Sequence, residues 1–480
     1  MSLKRQIAFN TAIQLAGKSL NTGIGLLIVA LMTRSLGVEK FGWFVTASSF
    51  LQFIAVANDF GFTANTASML SEEKFDKQKI YNTLFTWRFL TALFFNGLSP
   101  ILILFFPYPA PVKIAAAILS VSFFSTALNQ VLVGYYQTKL KTHIQVIGEF
   151  LSRATMLVGI FAIAYKNYDG FLPMMAVVSA ASLIYTIFLW LKSQKIRFQI
   201  DWGISRALYY KTWPMAIEII FNAVYLQGGR ILLPLFVSQS EVGLAGAAYR
   251  VTEIVIQVAA MVMGIMLPLT ARAWTRNLRD EFKLHYQRSF DLILMLLIPM
   301  AVGIITLATP IMKLIAGNEF ANSGKILALL GIAIVGTAFG NVFGYLALAI
   351  NRQKNVIWIY LSDAILSAIA YAFLIPKYGA YGAAMVTVLS EIYAGLFLMI
   401  TINRFARFWP SFKTFFKISL ASLTMGVSVY LLQPMNIVLS IAFGIIIYGV
   451  LALLLNIISK ETIKEIISRP PKSNNPVAQP

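Results

Sequence analysis

The sequence predicts an all-α polytopic membrane protein with about fourteen transmembrane helices, built as two six-helix lobes followed by two C-terminal helices. Three observations predict it. The 480 residues are 58% hydrophobic and 12% charged, where soluble domains run at about 45–50% apolar and about 25% charged. Apolar stretches recur at or above the ~20 helical residues that cross a hydrocarbon core. Lysine and arginine collect in alternate loops. A β-barrel is excluded because the stretches are too long and do not alternate apolar with polar residues. A disulfide scaffold is excluded because there is no cysteine.

The first span is expected at 9–33, after the basic start Met1–Gln6. That start imitates a signal peptide, but the apolar run is too long, holds Lys18 and Asn21, and ends without a small-residue cleavage pattern. Further spans follow at 41–67, 81–106, 112–137, 143–165, 170–191, 212–237, 242–270, 289–309, 325–350, 355–376, 379–402, 414–432 and 437–458. Gly, Pro and polar residues inside several of them are tolerated because neighbouring helices re-satisfy the backbone.

Net charge is +20 with a pI near 9.9. Of the 39 Lys and Arg, 27 lie in one alternate set of loops, seven in the other, and five inside spans. This asymmetry follows the positive-inside rule and places both termini in the cytoplasm. Nucleic acid is not needed to explain the charge. Loops of the sparse set are short, as at Phe106–Pro111 and Ser238–Glu241, and none forms a domain that holds chemistry. The only histidines, His143 and His285, lie in cytoplasmic loops, so no metal site, cofactor or enzymatic constellation is expected. Transport is the default function.

Internal repetition supports two halves. GYYQTKLKTHIQVIGEFLSRA from Gly134 and GYLALAINRQKNVIWIYLSDA from Gly344 agree at an offset of 210, and the sixth and twelfth spans agree at 208. Lys40-Phe41-Gly42 and Glu241-Val242-Gly243 agree at 201. The expected division is an N-terminal lobe 1–195, a cytoplasmic linker 196–211, a C-terminal lobe 212–403, two appended spans in 404–459 and a tail 460–480. The first span carries a polar stripe, Gln14, Lys18, Asn21 and Gly25, on one helix face. The seventh repeats the spacing with Glu218, Asn222, Tyr225 and Gly229. Stripes of this kind hydrogen-bond between helices or face a water-filled path, and a mid-membrane charge such as Lys18 favours the latter.

The string Thr33-Arg34-Ser35-Leu36-Gly37-x-x-x-Phe41-Gly42, then Asp59-Phe60-Gly61-Phe62, resembles the N-terminal signature of the polysaccharide biosynthesis flippases. These are O-antigen and capsule repeat-unit transporters of the multidrug/oligosaccharidyl-lipid/polysaccharide superfamily. Tyr378-Gly379-Ala380-Tyr381-Gly382-Ala383-Ala384 resembles the start of that family's twelfth span. The resemblance implies two lobes facing each other as a V, with a lipid-linked oligosaccharide crossing between them by alternating access. It implies membrane lipids, a coupling ion (proton or sodium) and polysaccharide polymerase and chain-length machinery as partners. The alternatives are a drug/cation antiporter or a peptidoglycan-precursor flippase of the same superfamily, or, in another class, a membrane glycosyltransferase or ligase.

An undecaprenyl-diphosphate head is anionic, so its site needs cations. Arg binds phosphate through a planar fork and Lys as a point charge. Lys18 and Arg230 are the first choices because they sit on the two spans where the lobes should meet, and Arg230 has no acidic neighbour one turn away. Arg250 is either paired with Glu253 at i, i+3 or in the cavity, and Arg88 stands near the cytoplasmic entry. Arg153 is expected to pair with Glu149 at i, i+4. Gln14, Asn21 and Asn222 complete the binding set, and Glu218, Glu253 and Asp59 are the coupling candidates. Gly336, Gly340 and Gly344 form a G-x-x-x-G-x-x-x-G run read as close helix packing.

Overall fold

The computed structural model describes the backbone of residues 3–59, 62, 69, 76–166, 170–432 and 436–457, with side chains for all of these except 3–13, 15, 211 and 214–226. Among the described residues there are twelve α-helices and no strand: α1 (Leu3–Asp59), α2 (Lys77–Leu102), α3 (Ala110–Thr138), α4 (Thr142–Tyr165), α5 (Phe171–Lys192), α6 (Trp202–Phe236), α7 (Gln239–Thr275), α8 (Arg279–Ala316), α9 (Ser323–Ala349), α10 (Gln353–Ala406), α11 (Lys413–Leu431) and α12 (Ile437–Leu454). Eleven of them are long and apolar enough to cross a membrane.

At 57 and 54 residues, α1 and α10 run about 80–85 Å, more than twice a ~30 Å hydrocarbon core. Each therefore breaks, at Gly37 (φ 69°) and Gly379 (φ 56°). Positive φ is the region glycine enters without a Cβ penalty. The loops expected between spans 1 and 2 and between 11 and 12 are thus single-glycine kinks. Together with the 35-residue α6, the two kinked helices give room for fourteen crossings. Of the expected second span, residues 60, 61 and 63–67 lie outside the described residues.

A carboxylate stands behind each kink. Ala380 donates its N–H to Glu241 Oε1 at 2.6 Å, and Glu319 Oε2 lies 3.2 Å from where a Gly37 Cβ would be. Negative charge at the start of an outgoing helix is favoured by the peptide dipoles.

The turns divide into two sides. One is basic and carries Lys139–Lys141, Arg276–Leu278 and Ile350–Arg352; the opposite side carries Gly37, Phe106–Pro109, Val237–Ser238 and Gly379. Helices α1–α5 pack on one another, as do α6–α10, and α11–α12 lie against α8. The two groups meet where α1 packs on α7 and α6.

The segment read as a linker is not loose. Residues Ser193–Asp201 run extended along α2, and alternate N–H groups of Arg197, Gln199 and Asp201 donate to Asn82 Oδ1, Thr86 Oγ1 and Thr83 Oγ1 at 3.0–3.3 Å. Gln78 donates to Lys195 O at 3.0 Å. Helix α6 then starts ten residues earlier than the hydropathy suggests. Asp201 caps it by accepting from Ile204 N, and Ile204 and Leu208, one turn apart, are buried with Ile80, Leu84 and Leu132.

Candidate functional site

On the side opposite the basic one, the two groups of helices close on each other through glycine. A Cβ at Gly42 would collide with Gln239 O, and one at Gly243 would collide with Val38 O. Gly42 and Gly243 are equivalent in the internal repeat at offset 201, as are Val38 and Gln239, so the contact is symmetric about an axis between the glycines. Thr46 Oγ1 donates to Gln239 Oε1 at 2.6 Å, and Arg34 Nη2 to Leu314 O at 2.6 Å, across the same junction.

Beneath this closure lie two connected cavities of about 510 and 190 Å³ that share Asn21, Thr22, Arg153 and Gln257. Lys18 and Glu149 line the larger; Gly25, Arg250 and Glu253 line the smaller. Lys18, Asn21 and Gly25 of the α1 stripe therefore face the cavity while Gln14 does not line it, and a stripe on α7, Arg250, Glu253, Gln257 and Gly264, faces it as well. Thr22 Oγ1 reaches Gln257 Oε1 across the gap at 3.5 Å. Gly25 makes room for Arg153, whose Nη1 lies 3.2 Å from the position of a Cβ there. Asn21 is 3% exposed and neither of its amide atoms has a partner among the described residues. A buried amide left this way costs about 1–3 kcal/mol, a cost recovered only by a ligand or water.

The sequence expectations for the cations need correction. Arg153 does not pair with Glu149: among the described residues no ion pair includes either. Arg230 does have an acidic partner, Glu253 from α7, and its guanidinium stacks 4.6 Å above the Tyr249 ring. Glu253 also holds Arg250 Nη1 at 3.0 Å, so it bridges two arginines. Arg230 is thereby neutralised beside the cavity instead of facing it. Arg250, 42% exposed in its side chain, keeps a free edge.

Arg88 is no entry residue. Its side chain is 2% exposed and bound on every side: Asp59 Oδ1 at 3.0 Å, Asn58 O at 2.7 Å, Ala127 O at 3.1 Å and Gln130. It knots α1 to α2 and α3, with Asp59 as its counter-ion, and neither residue lines the two cavities between the helix groups. Gln14 is half-buried on α1. Glu218 and Asn222 lie on α6, with side chains outside the described residues. Gln257 and Tyr345 were missed; the 250-253-257 spacing on one helix face was the signal for the first.

The fold is a multi-pass helical one shared with solved transporters of the multidrug/oligosaccharidyl-lipid/polysaccharide superfamily. A solved structure of the lipid II flippase MurJ, in an inward closed conformation, superposes with a TM-score of 0.78 at 18% identity over 92% of this chain and 98% of that one. An inward-facing multidrug MATE transporter of that superfamily gives 0.65 at 12% identity, covering 83% and 99%. The chain belongs to the polysaccharide biosynthesis protein family, whose model matches residues 31–325. It is 22% identical over 393 residues, 77% of each chain, to the probable low-salt glycan biosynthesis flippase Agl15 of Haloferax volcanii. It is 26% identical over 223 residues, 43% of this chain and 45% of the other, to the probable lipid II flippase MurJ of Thermotoga maritima.

Proposed function

We infer that the protein is a flippase that carries a polyprenyl-diphosphate-linked oligosaccharide from the cytoplasmic to the outer leaflet, for assembly of a surface polysaccharide such as O-antigen, capsule or exopolysaccharide. The observation that carries this reading is the charge of the cavity. Lys18, Arg153 and Arg250 line it against Glu149 and Glu253, which leaves a net positive charge, with Arg230 beside it on Glu253; that is the sign an anionic diphosphate needs. A cationic drug would meet the wrong sign. Arg153, with no counter-ion among the described residues, supplies the bidentate fork for phosphate and Lys18 a second charge. Unpartnered Asn21 offers its amide N–H to a phosphate oxygen.

The basic side faces the cytoplasm by the positive-inside rule, so the closure at Gly42 and Gly243 is the outer gate and the head enters from the cytoplasmic leaflet. Of the three coupling candidates named from the sequence, Asp59 and Glu253 are each bound to arginine, which leaves Glu218. The test is transport in liposomes: a lipid-linked glycan on the inner leaflet should become accessible to added glycosidase with the wild type, and far more slowly with Arg153→Gln. Equal rates for the wild type and protein-free vesicles would refute the reading.

A further inference from the structure

A third cavity, of about 590 Å³, opens inside the second group of helices between α7, α9 and α10, and it is walled by Asn341, Tyr345, Gln353, Tyr360 and Glu391. Its volume falls in the range of about 300–1,000 Å³ typical of pockets for ligands of drug size. It continues from the cationic cavity, because Tyr345 lines both and the adjacent residues Ile256 and Gln257 of α7 line one each.

The lining chemistry differs from that next door. There is no lysine or arginine; there are amides, phenols and one carboxylate. The Tyr345 hydroxyl and the Gln353 amide make no hydrogen bond among the described residues, and Asn341 uses only its N–H, on Thr337 O at 3.0 Å. Such groups both donate and accept, as sugar hydroxyls do, and the tyrosine rings offer flat apolar faces to the C–H side of a sugar ring.

The glycine run on α9 explains how the space is kept open. At Gly336 a Cβ would meet the backbone of Glu391 and Ile392 at 2.6–2.8 Å, so this glycine serves helix packing. At Gly340 and Gly344 a Cβ would meet only Glu391 Oε2 at 3.9 Å and Tyr360 Oη at 3.5 Å, ordinary contacts. These two glycines are not demanded by packing; what they provide is cavity.

We propose that the Tyr345–Glu391 cavity is a glycan subsite that holds sugars distal to the diphosphate and so sets which glycan length the protein carries. This takes the substrate to be the lipid-linked glycan inferred above. The head is bound between the helix groups, and the sugar chain passes Tyr345 into the second group.

The probe is the pool of polyprenyl-diphosphate-linked glycans extracted from membranes that make them, bound to the purified full-length protein and sorted by sugar number in a mass spectrometer. Wild type should retain complete glycans over single-sugar lipids. Gly340→Leu fills the cavity, and Asn341→Leu removes its amide without adding much bulk. Each should cut that preference about tenfold, the effect of one lost hydrogen bond, while total diphosphate lipid retained stays within about twofold. Arg153→Gln should lower retention of every length alike. A Gly340→Leu and an Asn341→Leu protein that both elute as folded monodisperse species and keep the wild-type length profile would overturn the subsite. Wild type that retains no diphosphate lipid of any length would instead reject the transport reading beneath it.

Discussion

Gly42 and Gly243, one from each half of the internal repeat, touch backbone to backbone and close one side of the molecule. A seal made this way has no side chain to swing aside. Opening it means parting α1 from α7 as whole helices. Gly42→Val should therefore hold the junction ajar. In this cysteine-free chain, a single cysteine at Val38 reads the state: maleimide labelling from the outer face should rise several-fold in Gly42→Val, whereas unchanged labelling would show that the glycine contact is not the seal.

Arg34 is the polar companion of that seal, donating to Leu314 O near the C-terminal end of α8. An arginine there meets the negative end of the helix dipole, worth about 0.3–1 kcal/mol at an exposed site. Arg34→Ala should shift labelling in the same direction as Gly42→Val but by less, about two- to fivefold. Protection greater than wild type would contradict the latch.

Arg88 and Asp59 form a buried pair, and breaking one by removing a single partner costs about 3–5 kcal/mol. Arg88→Ala should lower expression and thermal stability sharply. Asp59→Asn on top of Arg88→Met should recover part of the loss, because no unpaired carboxylate then remains. If Arg88→Ala proteins are as heat-stable as wild type and fail only in transport, the knot is misassigned.

Arg153 and Arg230 should separate in the same way. Loss of a charge-assisted hydrogen bond, about 1.5–3 kcal/mol, predicts ten- to a hundredfold weaker binding of a bare polyprenyl diphosphate by Arg153→Ala, with stability kept. Arg153→Lys should recover part of that binding and Arg153→Gln none. Arg230→Ala releases one of the two arginines on Glu253, so its main effect should be a lower melting temperature. Isothermal titration beside a thermal melt checks both, and the opposite pattern would restore Arg230 as the phosphate ligand.

How much of this the sequence could show depends on the range of each interaction. Helices and the cavity-facing stripe of Lys18, Asn21 and Gly25 are written in spacings of three and four residues, which one helix turn makes visible. The pairs Arg88–Asp59 and Arg230–Glu253 span 29 and 23 residues and join different helices, so a search one turn either side of each arginine misses them. It also wrongly pairs Arg153 with Glu149, since i, i+4 spacing permits an ion pair without requiring one. The helical start of α6 was hidden by composition: Trp202–Lys211 is polar enough to pass for linker until Ile204 and Leu208 are seen buried.

The strap on α2 has a consequence for how the protein can be assembled. Lys195, Arg197, Gln199 and Asp201 are all held by α2, and Ser205 Oγ accepts from Trp87 Nε1 at 2.9 Å. Covalent continuity at Ser193 is thus redundant with five non-covalent ties. Residues 1–193 and 194–480 made as separate polypeptides should find each other in the membrane and copurify. Thr83→Val with Thr86→Val, which deletes two of the acceptors, should cost that complementation far more than it costs the unbroken chain.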